Sequence, residues 1–186
     1  GNAVPAPGWY MRAESGAVHH GVQTSATCGL HAVNHCLRGL GQHAVMSFDT
    51  FDGRAQADER SPSGDWEYAA LQRNVEAAGG AVDPVEEADH EELTRWLVDV
   101  SRLSLWRPGV LGCIIHVPGH WVAMTAPDGP QTEDMAALIC DSGYPHPFAL
   151  SAEEVGDLFA RIGARHQTVS LQEASRWSIY VVRRPH

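Results

Sequence analysis

The stretch QTSATCGLHAVNHCLRG, residues 23–39, decides how this chain reads. Leu30, Val33 and Leu37 recur at helical spacing, Thr27 can cap a helix that begins near Cys28, and Gly39 can end it. Cys28 then stands in the first turn, where the positive end of the helix macrodipole is worth about 0.3–1 kcal/mol to an anion, and about 2 in part-buried geometry. A free thiol has a pKa near 8.5 and attacks carbonyls only as thiolate, so the dipole alone does not make Cys28 a nucleophile. An imidazolium partner is needed.

Working outward, His120 meets that need best among the 11 histidines. It follows a Pro-Gly pair and opens the apolar run HWVAMTA, residues 120–126, so its ring can emerge at a sheet edge. The imidazole in turn needs an acceptor on its other nitrogen. Asp141 ends the run ALICD, residues 137–141, where an antiparallel hairpin would set it beside His120. Cysteine, histidine and aspartate in that chain order match the papain-like arrangement. Gln23, five positions before Cys28, is close enough for its side-chain amide to join the Cys28 backbone N–H in an oxyanion hole. Together the four residues specify acyl transfer with water as the final acceptor.

The remaining pattern predicts an α+β domain with N-terminal helices packed on a C-terminal antiparallel sheet. Helices are expected over 28–38, after Ser47, over 65–78 with Gly79-Gly80 as a stop, and over 89–98. Strands are expected at 110–117, 120–126, 137–141 and 177–183. A last helix opens at Ser151 with SAEE, a capping box, and runs to about Ile162. The length of 186 residues and 44% hydrophobic content suit one domain, residues 1–186.

The segment from Gln23 to Leu37 resembles the signature of the Josephin deubiquitinases, with Cys28, His31 and Asn34 in a Cys-x-x-His-x-x-Asn helix preceded by Gln23. GDWEYAAL (64–71), GHWVAM (119–124) and CDS (140–142) resemble three later family motifs in the same order. The resemblance implies a papain-like cysteine protease that hydrolyses bonds after the carboxy-terminal glycine of ubiquitin. It implies Cys28 as nucleophile, His120 as general base, Asp141 as orienter and Gln23 in the oxyanion hole. It also implies a narrow cleft lined by Leu30 and Trp121 that admits a diglycine tail. Ubiquitin or polyubiquitin is the expected partner, with no cofactor and no metal, and a monomer is expected inside cells, in cytoplasm or nucleus, or in a host cytosol for a secreted effector. The connector between His120 and Asp141 is longer than the family's usual one, and the helical arm before residue 65 is shorter.

Composition narrows the field. A net charge of −10 without a basic cluster argues against nucleic acid, and no run of about 18 apolar residues is present to span a bilayer. Cys36, Cys113 and Cys140 form no Cys-x-x-Cys pair, fit a reducing compartment and read as core residues. All 13 basic residues are arginine, which a coding bias explains, or a working life beside ubiquitin ligases. His31 and His35, four apart, raise a zinc site with Cys28 as the competing reading, but a fourth ligand is lacking and metal would consume the thiolate. Trp66 reads as core, and the acidic run at residues 86–92 as a solvated helix face. Two further alternatives stand beside the deubiquitinase: a papain-like protease for another ubiquitin-like modifier, and a catalytically weak ubiquitin-binding module.

Overall fold

A computed structural model describes residues 4–5, 28–56, 67–88, 90–103, 106, 108–117, 120–127, 130–141, 147–166 and 177–185. In chain order these form β1 (Val4–Pro5), α1 (Cys28–Leu37), α2 (Phe48–Arg54), α3 (Tyr68–Ala77), β2 (Ala81–Ala88) and α4 (His90–Leu103). There follow β3 (Val110–Val117), β4 (His120–Thr125), β5 (Ala137–Asp141), β6 (Phe148–Leu150), α5 (Ala152–His166) and β7 (Trp177–Arg183). None of the described helices is long and apolar enough to cross a membrane.

Local chemistry accounts for the helix ends. Ser47 Oγ accepts from the Thr50 backbone N–H at 3.2 Å and starts α2. At α5 the capping box closes in both directions: the Glu154 N–H donates to Ser151 Oγ, and the Ser151 N–H donates to Glu154 Oε1, each at 3.1 Å. Gly79, with φ of 93°, ends α3 in a Schellman motif, the Gly80 N–H bonding the Val75 carbonyl and the Gly79 N–H that of Glu76. Helix α1 ends differently from the expectation at Gly39. It tightens into a 3₁₀ turn over Arg38–Leu40, and the left-handed residue is Gly41, with φ of 119°.

The seven described strands form one antiparallel sheet in the order β1-β6-β5-β4-β3-β7-β2. Helices cover both faces, which is why β3, β4 and β5 read as continuous apolar runs rather than as alternating ones. On one face α1 and α3 bury Leu30, Val33, Leu71 and Val75 against Ile114, Trp121 and Ala123. On the other, α4 and α5 bury Leu97, Val155 and Phe159 against Ile115, Val122, Ile139 and Trp177. Each such side chain contributes about 1.5–3 kcal/mol when fully buried.

The four expected strands are present, and three more join them. Strand β2 carries Pro84 and two glutamates, features that depress a strand reading. Proline is tolerated because β2 lies at the sheet edge, and the register against β7 shifts between Pro84 and Glu86. Glu86 and Glu87 thus belong to a strand rather than to a helix face. The other two, β1 and β6, have 2 and 3 residues, too few for a period to show. Helix α4 extends to Leu103, five residues beyond the expected end.

Asn34 ties α1 to the segment before α2, and Gly112 sets how closely α1 sits on this sheet. Buried Asn34 clamps Met46 from both sides, its Nδ2 donating to the Met46 carbonyl and its Oδ1 accepting from the Met46 N–H, both at 2.9 Å. At Gly112 a Cβ would stand 2.7 Å from Thr125 Cγ2 and 2.9 Å from both Cys36 Sγ and the Met124 carbonyl oxygen. A backbone carbonyl cannot rotate away as a side chain can. Gly112→Ala is therefore expected to cost about 1–3 kcal/mol, read as a lowered midpoint in urea unfolding.

Candidate active site

Cys28 opens α1 and His120 opens β4, and the packing of that helix on that strand brings the two together. Cys28 is 2% exposed, and its Sγ accepts a hydrogen bond from the Trp121 backbone N–H at 3.4 Å. The sequence carries no sign of this donor, because a backbone group leaves no signature in residue types.

The strand register explains the next contact. Val122 pairs with Asp141 across β4 and β5, so His120, two residues earlier on the same face, is the diagonal neighbour of Asp141. Diagonal neighbours lie about 7–8 Å apart at the backbone, within reach of an imidazole and a carboxylate. His120 Nε2 and Asp141 Oδ1 are 2.8 Å apart, their side chains 18% and 10% exposed. With Nε2 committed to Asp141, Nδ1 is the nitrogen left to the Cys28 sulfur.

The electrostatics follow from this placement. Burial opposes charge on His120, but hydrogen bonds to Asp141 and Cys28, with electrostatic attraction to both groups, outweigh it and push the pKa up to about 10. The ring is an imidazolium at neutral pH, donating from both nitrogens. Two other histidines stay neutral: burial pulls His31 down to about 4, and burial together with the positive charge of His120 does the same to His116. An imidazolium held between a sulfur and a carboxylate is the partner a thiolate nucleophile requires.

Two expectations about the surroundings change. Leu30 is 0% exposed in the core under α1, so it supports the helix from beneath and cannot line a substrate passage. Trp121 is 3% exposed, and it serves the site chiefly through its backbone N–H. Its ring belongs to an aromatic row with His116 (centroids 4.1 Å apart) and Tyr180 (6.1 Å), which stacks on Tyr68 at 4.0 Å. Gln23 and Trp66 lie outside the described residues.

The other thiols are buried in the core, and burial raises Cys36 well above the ordinary range and Cys113 to about 12. His35 is engaged by Thr125 Oγ1 at 3.0 Å, away from Cys28. Among the described residues no three His, Cys, Asp or Glu side chains are arranged to hold a metal ion.

No family model matches the chain, and no curated protein does. Among solved structures it is similar to the Pseudomonas avirulence protein AvrPphB, a papain-like cysteine protease, with a TM-score of 0.50 and 9% sequence identity. The likeness covers 89% of this chain and 93% of that one. Identity so low speaks for architecture alone, and the shared architecture is a papain-like α+β fold with helices on an antiparallel sheet.

Proposed function

We propose that this chain is a cysteine-type deubiquitinase, cleaving peptide or isopeptide bonds after the carboxy-terminal glycine of ubiquitin. The observation that carries the chemistry is His120 held between Cys28 and Asp141 with its ring charged. The Cys28 thiolate attacks the scissile carbonyl and forms an S–C bond, while negative charge collects on the carbonyl oxygen. His120 gives its proton to the departing amine as the C–N bond breaks, leaving a thioester. The neutral imidazole then takes a proton from water, hydroxide adds to the thioester, and the S–C bond breaks to release the carboxylate. Asp141 keeps the ring oriented through both halves.

The choice of ubiquitin rests on the Josephin-like motifs and on how little of Cys28 is accessible. At 2% exposure, Cys28 suits a tail without side chains next to the scissile bond, as a diglycine is. By the same reading Gln23 adds a donor to the oxyanion hole, and the domain works as a monomer without cofactor, inside cells in cytoplasm or nucleus. The test is reaction of the protein with ubiquitin carrying an electrophilic carboxy terminus, read by intact mass. A one-to-one adduct is expected. If only probes built on another ubiquitin-like modifier react, the protease stands and ubiquitin is the wrong substrate.

Asp141→Asn separates orientation from proton transfer. Without the carboxylate, one of the interactions raising the His120 pKa is lost, so the imidazolium releases its proton at lower pH. The alkaline limb of the kcat/KM profile, expected near pH 10 in the wild type, should move toward neutrality, and the maximum should fall about 10–100-fold.

A further inference from the structure

A cavity of about 510 Å³ opens at the opposite end of α1 from Cys28. The helix has 10 residues, which at 1.5 Å per residue separates its ends by about 15 Å. The walls come from the end of α1, the start of β3, the end of β4 and the residue following β7. The volume falls inside the range typical of small-molecule sites.

Its chemistry departs from that of the rest of the chain. The protein carries 23 acidic residues against 13 arginines, yet the cavity has two guanidinium groups, Arg38 and Arg184, and no acidic residue among its described lining. Both are held in place. Arg38 Nη2 donates to Thr125 Oγ1 at 3.2 Å, and Thr125 Oγ1 in turn lies 3.0 Å from buried His35 Nε2. Arg184 Nη2 donates to the Gly39 carbonyl at 2.9 Å, while the Arg184 backbone N–H bonds the Gly109 carbonyl at 2.7 Å. Burial and the charge of Arg38 both hold His35 neutral, which fits a locally positive potential.

Capping the end of α1 would account for arginines there, but it would not account for a cavity beside them. Trp106 and Leu111 give that cavity apolar walls, and the Trp106 Nε1–H is already committed to the Ala136 carbonyl at 3.4 Å. We propose that this cavity is a binding site for a small organic oxyanion, a phosphate monoester or carboxylate, carried on a flat apolar body. The oxyanion lies against Arg38 and Arg184, where guanidinium groups offer paired donors, and the body lies against Trp106 and Leu111.

The probe is phenyl phosphate, titrated into the whole chain by calorimetry, with benzoate, phenol and inorganic phosphate in parallel. Phenyl phosphate or benzoate should bind more tightly than phenol or inorganic phosphate, and whichever binds better names the oxyanion. Arg184→Gln changes an exposed side chain and should weaken binding about tenfold or more, as should Arg38→Gln, while Cys28→Ala leaves the affinity unchanged. Failure of both phenyl phosphate and benzoate to bind the wild type overturns the proposal. So does undiminished binding in both arginine variants, or binding that Cys28→Ala abolishes.

Discussion

By the proposed mechanism, Cys28→Ala is expected to lower hydrolysis of ubiquitin carboxy-terminal amides by at least about 10⁴-fold while leaving ubiquitin binding in place, the loss seen when a nucleophile is removed from a coupled catalytic set. No other thiol can substitute. Cys36, Cys113 and Cys140 are buried in the core, and burial holds Cys36 and Cys113 in the protonated form. The variant should fold normally, because alanine keeps the start of α1 helical and the change removes one sulfur from a tight site. Rates are read with a fluorogenic ubiquitin amide and binding by calorimetry. Activity within tenfold of the wild type would transfer the nucleophile elsewhere and end the proposed mechanism.

By the same mechanism, His120→Gln is expected to produce the second large loss, about 10²–10⁴-fold in kcat/KM, because there the ring protonates the leaving amine and later accepts the proton of water. Glutamine can still hydrogen-bond Asp141, so the geometry survives while proton transfer does not. The substitution also changes how stability depends on pH. In the folded chain His120 titrates near 10 rather than at the ordinary 6.5, so the native state holds a proton that the unfolded chain has already released. That contribution is fully present below about pH 6.5 and is lost as pH rises through about 10. Between roughly pH 8.5 and 10.5 the wild-type unfolding midpoint should therefore fall further than that of His120→Gln. Equal slopes in the two proteins would show that the ring is not charged in the native state.

Much of this arrangement is legible in residue types because it depends on local signals. The helix opening at Cys28, the Ser151 and Glu154 box and the Gly79-Gly80 stop each act within a few residues, and each appears where those residues stand. His120 and Asp141 were accessible as ends of apolar strands, since antiparallel pairing brings such ends together. The place of Leu30 is not legible in the sequence, because a helical period shows that a face is apolar without showing whether it meets core or substrate. Strand β2 was hidden by Pro84, whose tolerance depends on being at an edge, a property of the whole sheet. The Trp121 N–H and the arginine cavity were invisible for a related reason. One is a backbone group, and the other draws on segments as distant as Arg38 and Arg184.

The sheet order carries a consequence for how the molecule comes into being. Val4 pairs with Ala149, Ala81 with Arg183, and Cys28 meets Trp121, so almost the whole chain must be synthesised and closed upon itself before these contacts exist. Loop-closure entropy is met before such distant pairings repay it, which makes folding slow beside that of a helical bundle of equal length. Throughout that interval all four thiols are open to oxidants and to one another. Oxidative loss of newly made protein should therefore be greatest during refolding, and a reductant should improve recovery most when added before the sheet closes.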